Sequence, residues 1–328
     1  MKIGNLEIGK SDVFVIAEIG NNHNGSLKMA LEMVDSAIDA GANCVKFQMR
    51  DMASIYRKKS LAKQGEDLGT EYVLDLLEKF QLSIDEHRTV SEYCVTKGIL
   101  YMCTPWDSLS VSILEDFAIP AYKVASADLT NLPLIADLIG TGKPLILSTG
   151  MSTEQEIQIT VDFLNERQVL YVLLHCNSTY PAPFHDVNLN WIKRLSKIHH
   201  LVGYSGHERG IAVTLAAVGL GAKVVERHFT FDRNMEGPDH AASLEPGEFK
   251  ALVSGIREIE KALGDGSVRT VSQGEMINRE NLAKSIVAAV DLEEGTVIES
   301  HHLKVRSPGQ GLSAQSFELL LGRTLSRR

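Results

Sequence analysis

Short apolar runs alternate with longer amphipathic segments through most of the chain. Eight of the short runs are rich in Val, Ile and Leu and do not alternate strictly with polar residues, which is typical of parallel strands buried on both faces. They are VFVIAEI (13–19), CVKFQ (44–48), ILYMCT (99–104), AYKVAS (121–126), PLILST (144–149), LYVLLHC (170–176), HLVGYS (200–205) and AKVVERH (222–228).

The segments between these runs have helical periodicity. In residues 26–40 the apolar side chains recur on one face, Ser26 is a predicted N-cap and Gly41 a predicted stop. Eight strand-then-helix units over about 265 residues predict an α/β fold of the (β/α)8 TIM-barrel type. A doubly wound open sheet is the alternative, but no GxGxxG motif follows the first strand.

The pattern changes after residue 266. Residues 1–266 are predicted to form the barrel domain, 267–282 an exposed linker, and 283–328 a small β-rich domain with the short runs SIVAAVDL and TVIES. The connection from Met49 to Glu71 is long for a βα loop and predicts a lid or a partner contact, although its RKKS run (57–60) also suits a solvated face.

Composition and charge indicate which kinds of partner the protein has and where it is located. The formal net charge of −9 argues against a nucleic-acid or anionic-membrane partner, and no apolar run is long enough to span a bilayer. The four cysteines lie in apolar segments without zinc-ligand spacing, so we expect buried free thiols. These features, with an N-terminus that lacks an export signal, predict a cytoplasmic protein.

The residues at the strand ends carry the candidate chemistry, because the carboxyl ends of barrel strands form the active site. In chain order the polar residues at or just after these ends are Glu18, Lys46, Gln48, Thr104, Lys123, Ser126, Ser148, Asn177, Ser178, Tyr180, Ser205, His207, Glu226 and His228. Two lysines inside apolar strands with several hydroxyls predict an anion site, since a buried unpaired lysine is costly. Any single hydroxyl could instead cap the following helix.

His207 and His228 follow the seventh and eighth strands and are expected at the same rim. Two imidazoles with a carboxylate, Glu18 or Asp239, suit Mn²⁺, Zn²⁺ or Mg²⁺. One of the carboxylates Glu18, Glu226 and Asp239 is a candidate general base or acceptor for a substrate hydroxyl. Glu226, next to Arg227, could instead belong to a structural ion pair. We expect structural roles for His23, His87, His185, His199, His200, His301 and His302.

Several motifs together resemble the sialic acid synthase family. They are IAEIGNNHNGS, VKFQ, YKVASADLTNLPLI, LSTGM, HCNSTYPAP, GYSGHERG, VVERHFT and GPDHAASLEPGE, in family order from about residue 15 to about residue 248. The C-terminal KSIVAAVDLEEGTVIES and VRSPGQGL are similar to the small antifreeze-like (SAF) domain of such synthases.

The resemblance implies a metal-dependent condensation of phosphoenolpyruvate with the open-chain aldehyde of an N-acetylated amino sugar. It implies that His207 and His228 hold the metal, with Mn²⁺ expected and Mg²⁺ or Co²⁺ as alternatives, and that Glu18 is the acid/base residue. Residues matched to phosphoenolpyruvate are Lys46, Thr104, Lys123, Ser126, Ser148, Asn177, Ser178 and Ser205. Those matched to the sugar are Tyr180, Glu226 and Asp239.

The resemblance also concerns the small domain. Arg306 matches an arginine that reaches the active site of a neighbouring subunit, which implies a domain-swapped homodimer. The residues alone would make Arg306 an exposed basic turn. The sequence stops at LLLGRTLSRR (319–328), before the further β-segment usual in the family, so we expect either that this domain lacks a strand or that the sequence is trimmed.

Two other functions are compatible with parts of the sequence. Lys123 on a barrel strand could serve a Schiff-base aldolase, although the histidine pair and Lys46 argue against an imine mechanism. The SAF-like region suggests an ice-binding protein, which leaves the strand-end cluster unexplained. The choice between N-acetylmannosamine and a 2,4-diacetamido-trideoxy hexose is expected to depend on loops 50–72 and 180–190, and the motifs resemble the sialic and legionaminic branches more closely.

Overall fold

The computed structural model describes residues 1–10, 12–55 and 70–327, with the backbone alone for residues 70–74. The chain divides into two units, Met1–Gly264 and Asp265–Arg328. The RKKS run and most of the connection from Met49 to Glu71 lie outside the described residues.

Eight parallel strands form a closed barrel in the first unit, which confirms the predicted fold. They are β1 Phe14–Gly20, β2 Cys44–Met49, β3 Leu100–Pro105, β4 Tyr122–Val124, β5 Leu145–Ser148, β6 Tyr171–Cys176, β7 Val202–Gly206 and β8 Val224–His228. Each strand pairs with its neighbours in chain order, and β8 closes the barrel on β1 with His228 opposite Glu18.

Helices surround this barrel. They are α1 Leu27–Asp39, α2 Met52–Ile55, α3 Thr70–Lys79, α4 Ile84–Lys97, α5 Ser108–Leu114, α6 Leu132–Gly140, α7 Glu154–Glu166, α8 Trp191–Ile198, α9 Ala212–Gly219 and α10 Pro246–Leu263. The predicted signals at the first helix are confirmed: the Ser26 side chain accepts a hydrogen bond from the Met29 amide, and Gly41 has a φ of +88° that suits the turn after the helix.

The barrel interior changes from apolar to charged along the strands. At the amino-terminal end Phe14, Ile16, Met102 and Val224 pack together, with Ile3 and Ile8 of the N-terminal segment beneath them. Because side chains alternate across a strand, the residues two positions further on also face inward. These next positions include Glu18, Thr104 and Glu226, so the same alternation that builds the core aims the polar groups into the mouth.

Other expectations about the chain concern cysteines and membranes. All four cysteines are free and buried, as predicted. Within the described ranges, no helix is long and apolar enough to cross a membrane.

The second unit contains two antiparallel strands, β9 Ser285–Ala288 and β10 Leu303–Arg306. The segment predicted as a linker is exposed, but it contains the helix α11 Gln273–Leu282, which begins with a capping box between Ser272 and Glu275. The run TVIES is not a strand; it contributes one isolated bridge, from Val297 to Thr324. A further short helix, α12, spans Phe317–Leu320.

Candidate active site

A cavity of about 310 Å³ opens at the carboxyl ends of the barrel strands. Every one of the eight strands contributes at least one lining residue, itself or through the loop that follows it. The sequence-predicted residues that line it are Glu18, Lys46, Gln48, Thr104, Lys123, Ser126, Ser148, Ser178, Tyr180, Ser205, His207, Glu226 and His228. The barrel therefore gathers into one cavity side chains that lie more than 200 residues apart in the chain.

Lys46 is the cation at one side of this cavity. Its Nζ lies 2.6 Å from Oε2 of Glu18, donates to the Thr104 hydroxyl at 2.9 Å, and lies 3.8 Å from Oε2 of Glu226. Burial by itself would lower the pKa of Lys46, but Glu18 and Glu226 raise it above its ordinary value. Lys46 is therefore a fixed positive charge at neutral pH.

Lys123 is the second buried cation. Its Nζ donates to the Ser148 hydroxyl at 2.7 Å and to the Val124 carbonyl at 2.8 Å, and it lies 4.0 Å from Oε1 of Glu226. Burial lowers the pKa of Lys123, and Glu226 offsets this only in part. An anion that entered the cavity would meet two ammonium groups and several hydroxyls.

The two buried carboxylates differ in their protonation. Burial raises the pKa of Glu18 to about 7, against the attraction of Lys46. Burial also acts on Glu226, but Lys123 and Lys46 together hold the pKa of that carboxyl below its ordinary value. Glu226 is thus the permanent counter-ion of the lysines, while Glu18 can gain or lose a proton near neutral pH.

The alternative of a structural ion pair between Glu226 and Arg227 is wrong. Arg227 points away from the cavity and pairs with Glu208 at 2.8 Å. Consecutive residues of β8 face opposite sides of the barrel wall, so Glu226 faces the lysines and Arg227 faces the surrounding helices.

The two histidines at the rim lie side by side, with ring centroids 5.2 Å apart. Nδ1 of His207 donates to the Asn177 carbonyl at 2.6 Å, so Nε2 is the ring nitrogen that can take a metal or a proton. Although burial opposes it, the neighbouring Cys176 raises the pKa of His207 above its ordinary value, so a metal would have to displace a proton from Nε2. Tyr180 packs against the His207 ring, with a centroid separation of 4.0 Å. Burial and the neighbouring His207 lower the pKa of His228 well below its ordinary value, so this imidazole is neutral.

These histidines fit a divalent cation. Nδ1 of His228 is buried without a hydrogen-bond partner among the described residues, and it lies 3.8 Å from Oδ2 of Asp239. Among residues 1–10, 12–55 and 70–327, no three His, Cys, Asp or Glu side chains are grouped closely enough to hold a metal by themselves. A divalent cation held here would have these two imidazoles as its protein donors and would need oxygens of water or substrate to complete its coordination.

Two predicted residues of the first unit do not line the cavity, and a third, Arg306, belongs to the second unit. The Asn177 side chain instead donates to the Asp186 carbonyl at 3.0 Å, and only its backbone carbonyl supports the site, through His207. Oδ2 of Asp239 lies 3.8 Å from Nδ1 of His228, and burial raises the pKa of its carboxyl. Arg306 is an exposed residue at the end of β10 in the second unit.

The histidines of the first unit that are expected to be structural are not among the residues that line the cavity. His23 and His87 flank Phe47 in the core, and burial lowers their pKa values to about 3 and about 4. His199 bonds the Tyr171 carbonyl at 3.0 Å.

Sequence reasoning missed five lining residues: Trp106, Ala125, Ala127, Met151 and Cys176. Cys176 ends β6 at an inward position, so strand alternation was a usable signal. Although burial opposes it, the neighbouring His207 lowers the pKa of the Cys176 thiol to about 7. Met151 lies in the loop after β5 and has a φ of +59°, a backbone conformation that no sequence pattern indicated.

Comparison with known proteins gives two family matches. Residues 33–268 match the NeuB family, and residues 283–328 match the SAF domain.

Several individual proteins are similar over nearly their whole length. N,N'-diacetyllegionaminic acid synthase of Campylobacter jejuni is 38% identical over 95% of this chain and 96% of its own. The synthase of the same name from Legionella pneumophila is 37% identical over 95% and 90%. The crystal structure of N-acetylneuraminic acid synthetase from Leptospira borgpetersenii matches with a TM-score of 0.77 and 34% identity, covering 86% of this chain and 96% of that one.

Proposed function

We propose that this chain, which belongs to the NeuB family, is a sialic acid synthase-type enzyme. It condenses phosphoenolpyruvate with the open-chain aldehyde of an N-acetylated amino sugar and water. The products are a nine-carbon 2-keto-3-deoxy sugar acid and phosphate. The observation that carries this proposal is the pair of buried lysines, Lys46 and Lys123, held beside two imidazoles at the barrel mouth.

The lysine side of the cavity suits phosphoenolpyruvate, which carries a phosphate and a carboxylate. Lys46 and Lys123 are only 3% and 2% exposed, so their attraction for an anion is screened little by solvent. The hydroxyls of Thr104 and Ser148, which already bond the lysines, can turn toward anionic oxygens without adding bulk. Glu226 holds the two cations in place before the substrate arrives.

In the proposed reaction the C3 carbon of phosphoenolpyruvate forms a bond to the aldehyde carbon, and the aldehyde oxygen gains a proton. Water adds to C2, the C2–O bond to phosphate breaks, and phosphate leaves with the electron pair of that bond. Glu18 is the acid/base residue, because a carboxyl with a pKa of about 7 can both accept and return a proton near neutral pH.

His207 and His228 are proposed to hold a divalent metal, with Mn²⁺ expected and Mg²⁺ or Co²⁺ as alternatives. A divalent cation supplies Lewis-acid polarisation of a carbonyl oxygen. The Asn177 carbonyl binds Nδ1 of His207 and leaves Nε2 for the metal, and the lowered pKa of His228 keeps that ring neutral, as ligation requires. Ligation by His207 would release the proton that its raised pKa favours on Nε2.

The sugar is assigned to the outer part of the mouth, near Gln48, Tyr180 and Asp239. A 2,4-diacetamido-trideoxy hexose is the first choice, because the two legionaminic acid synthases match along 95% of the chain. N-acetylmannosamine is the second, supported by the N-acetylneuraminic acid synthetase structure. From the family resemblance we also expect a homodimer in which Arg306 of one copy serves the sugar site of the other.

A Schiff-base aldolase is the second candidate function, because burial lowers the pKa of Lys123 as a nucleophilic amine requires. It leaves Lys46 and the two rim histidines without a role. Borohydride with pyruvate would inactivate an aldolase through Lys123 and leave the proposed synthase active.

The function is tested by phosphate release from phosphoenolpyruvate. Protein stripped of metal and then supplied with Mn²⁺, or in parallel with Mg²⁺ or Co²⁺, is incubated with the diacetamido sugar, with N-acetylmannosamine, or without sugar. We expect release that requires both Mn²⁺ and one sugar. Release without sugar, or folded protein inactive with both sugars at all three metals, would contradict the proposal.

A further inference from the structure

A buried ion pair lies behind the two histidines, on the outer side of the barrel wall. It joins Arg227 of β8 to Glu208, which directly follows His207, and both side chains are fully buried. Arg227 also stands between Glu226 and His228 in the chain. The pair therefore connects the backbone next to one rim histidine with the backbone next to the other.

Arg227 contacts the loop after β7 at several points. Its guanidinium donates to Oε1 of Glu208 at 2.8 Å, to the carbonyl of Gly210 at 2.8 Å, to the hydroxyl of Thr214 at 2.7 Å, and to the carbonyl of Glu208. Two of these four acceptors are backbone carbonyls within three residues of His207. One side chain of β8 thus fixes the path of the loop that begins with His207.

Glu208 is held by other donors besides Arg227. Its Oε2 accepts from the Tyr204 hydroxyl at 2.7 Å, and its Oε1 accepts from the Thr214 hydroxyl at 2.9 Å. Tyr204 belongs to β7 and Thr214 to α9, so the carboxylate is tied to the elements on either side of the loop.

Gly206 leaves the space that this cluster occupies. A Cβ atom at Gly206 would lie 2.6 Å from Oε2 of Glu208, 2.6 Å from the Tyr204 ring and 3.1 Å from Cδ of Arg227. Glycine is therefore required at the residue before His207 for a steric reason, and not for a left-handed backbone.

Stability alone does not explain such a cluster. A buried ion pair typically adds little to stability compared with apolar side chains of similar volume, because both charges lose their hydration. What it does provide is a single geometry, since a guanidinium with four acceptors has few alternative arrangements.

We infer that Arg227 and Glu208 are positioning residues that set the separation of His207 and His228 for metal binding. The inference rests on the proposed function, because it assigns those histidines as ligands. Replacing a group that orients a metal ligand commonly changes metal affinity or activity roughly 10- to 100-fold.

The test compares Arg227→Lys with Arg257→Lys. Arg257 is a matched control: it pairs with Glu260 and donates to the Val13 carbonyl, just before β1, at the opposite end of the barrel. Binding of Mn²⁺ alone is followed by the loss of the free-ion EPR signal, and kcat and KM are measured with phosphoenolpyruvate and the sugar.

We expect Arg227→Lys to raise the Kd for Mn²⁺ and lower kcat, each by at least about tenfold, while KM for phosphoenolpyruvate changes less than about threefold. Arg257→Lys should change neither Kd nor kcat. Kd and kcat values for Arg227→Lys within about twofold of those of the control would overturn the inference. A rise in KM for phosphoenolpyruvate as large as the rise in Kd for Mn²⁺ would also overturn it.

Two milder variants decide the matter if Arg227→Lys does not fold. Tyr204→Phe removes one hydrogen bond to Glu208, and Gly206→Ala crowds the cluster without changing a charge. Both should weaken Mn²⁺ binding, and unchanged Kd and kcat in both would overturn the inference. If the unsubstituted protein turns over but binds no Mn²⁺, the metal site is refuted. In that case kcat of these variants still decides whether Arg227 and Glu208 position His207 and His228.

Discussion

Replacing Glu18 by glutamine is expected to change how the stability of the barrel depends on pH. Glu18 is 1% exposed, and its Oε1 accepts a hydrogen bond from Gln48 at 2.8 Å. Burial raises the pKa of its carboxyl from 4.5 to about 7, even though Lys46 lies beside it. The folded protein therefore keeps a proton on Glu18 across a pH range in which the unfolded chain has released it.

The sign of the effect follows from that difference in bound protons. Glu18 contributes stability that is fully present below pH 4.5 and is lost as the pH rises to about 7. One pKa unit corresponds to about 1.4 kcal/mol, so the loss over this range is about 3 kcal/mol. Glutamine has no proton to release at this site. The free energy of unfolding of Glu18→Gln, relative to the unsubstituted protein, should therefore increase by about 3 kcal/mol across the same range.

The assay is urea unfolding of both proteins at several pH values between 4.5 and 8, with a chelator present to remove metal ions. Glu166→Gln, at an exposed position on α7, controls for the removal of a charge. Parallel stability curves for Glu18→Gln and the unsubstituted protein would refute the reasoning, because they would mean that Glu18 titrates alike in the folded and unfolded states. With metal and substrates added, the same variant should lose about 100-fold or more in kcat, as expected for an acid/base residue.

Three further substitutions separate the parts of the site. Lys123→Met should raise KM for phosphoenolpyruvate about 10- to 100-fold, since it removes a charged hydrogen-bond donor. Lys143→Met, outside the barrel, is the control. Equal KM values for the two variants would exclude Lys123 from the anion site. His207→Ala should lose Mn²⁺ binding and turnover together, whereas His200→Ala, at an exposed position before β7, should keep both. Mn²⁺ binding retained in His207→Ala would refute its role as a ligand. Asp239→Asn should raise KM for the sugar and not for phosphoenolpyruvate, and equal increases for both substrates would contradict its place at the sugar end.

Much of the cavity was predictable because strand alternation and barrel topology act together. Lys46 and Lys123 lie inside apolar runs, where burying a charged side chain costs too much free energy unless the charge is paired or binds a ligand. Once the runs are recognised as barrel strands, their carboxyl ends must meet at one mouth. The thirteen predicted residues that line the cavity follow from these two facts.

What escaped prediction depends on which way a side chain faces or on the conformation of a loop. The sequence neighbours Glu226 and Arg227 invited a pairing that β8 forbids, because adjacent residues of a strand point to opposite sides. Asn177 follows β6, and its side chain turns to the Asp186 carbonyl instead of the cavity. The cluster around Gly206 depends on contacts between β7, β8 and α9 that no local pattern encodes.

The most direct test of the central claim is to follow an isotope through the reaction. Phosphoenolpyruvate labelled with ¹⁸O at the oxygen between C2 and phosphorus is incubated with the protein, Mn²⁺ and the active amino sugar, and the phosphate is analysed by mass. Condensation with C–O cleavage predicts that the label leaves in the phosphate and that the keto oxygen of the sugar acid comes from solvent. Unlabelled phosphate, with the label retained in the organic product, would mean cleavage of the P–O bond and would contradict the account.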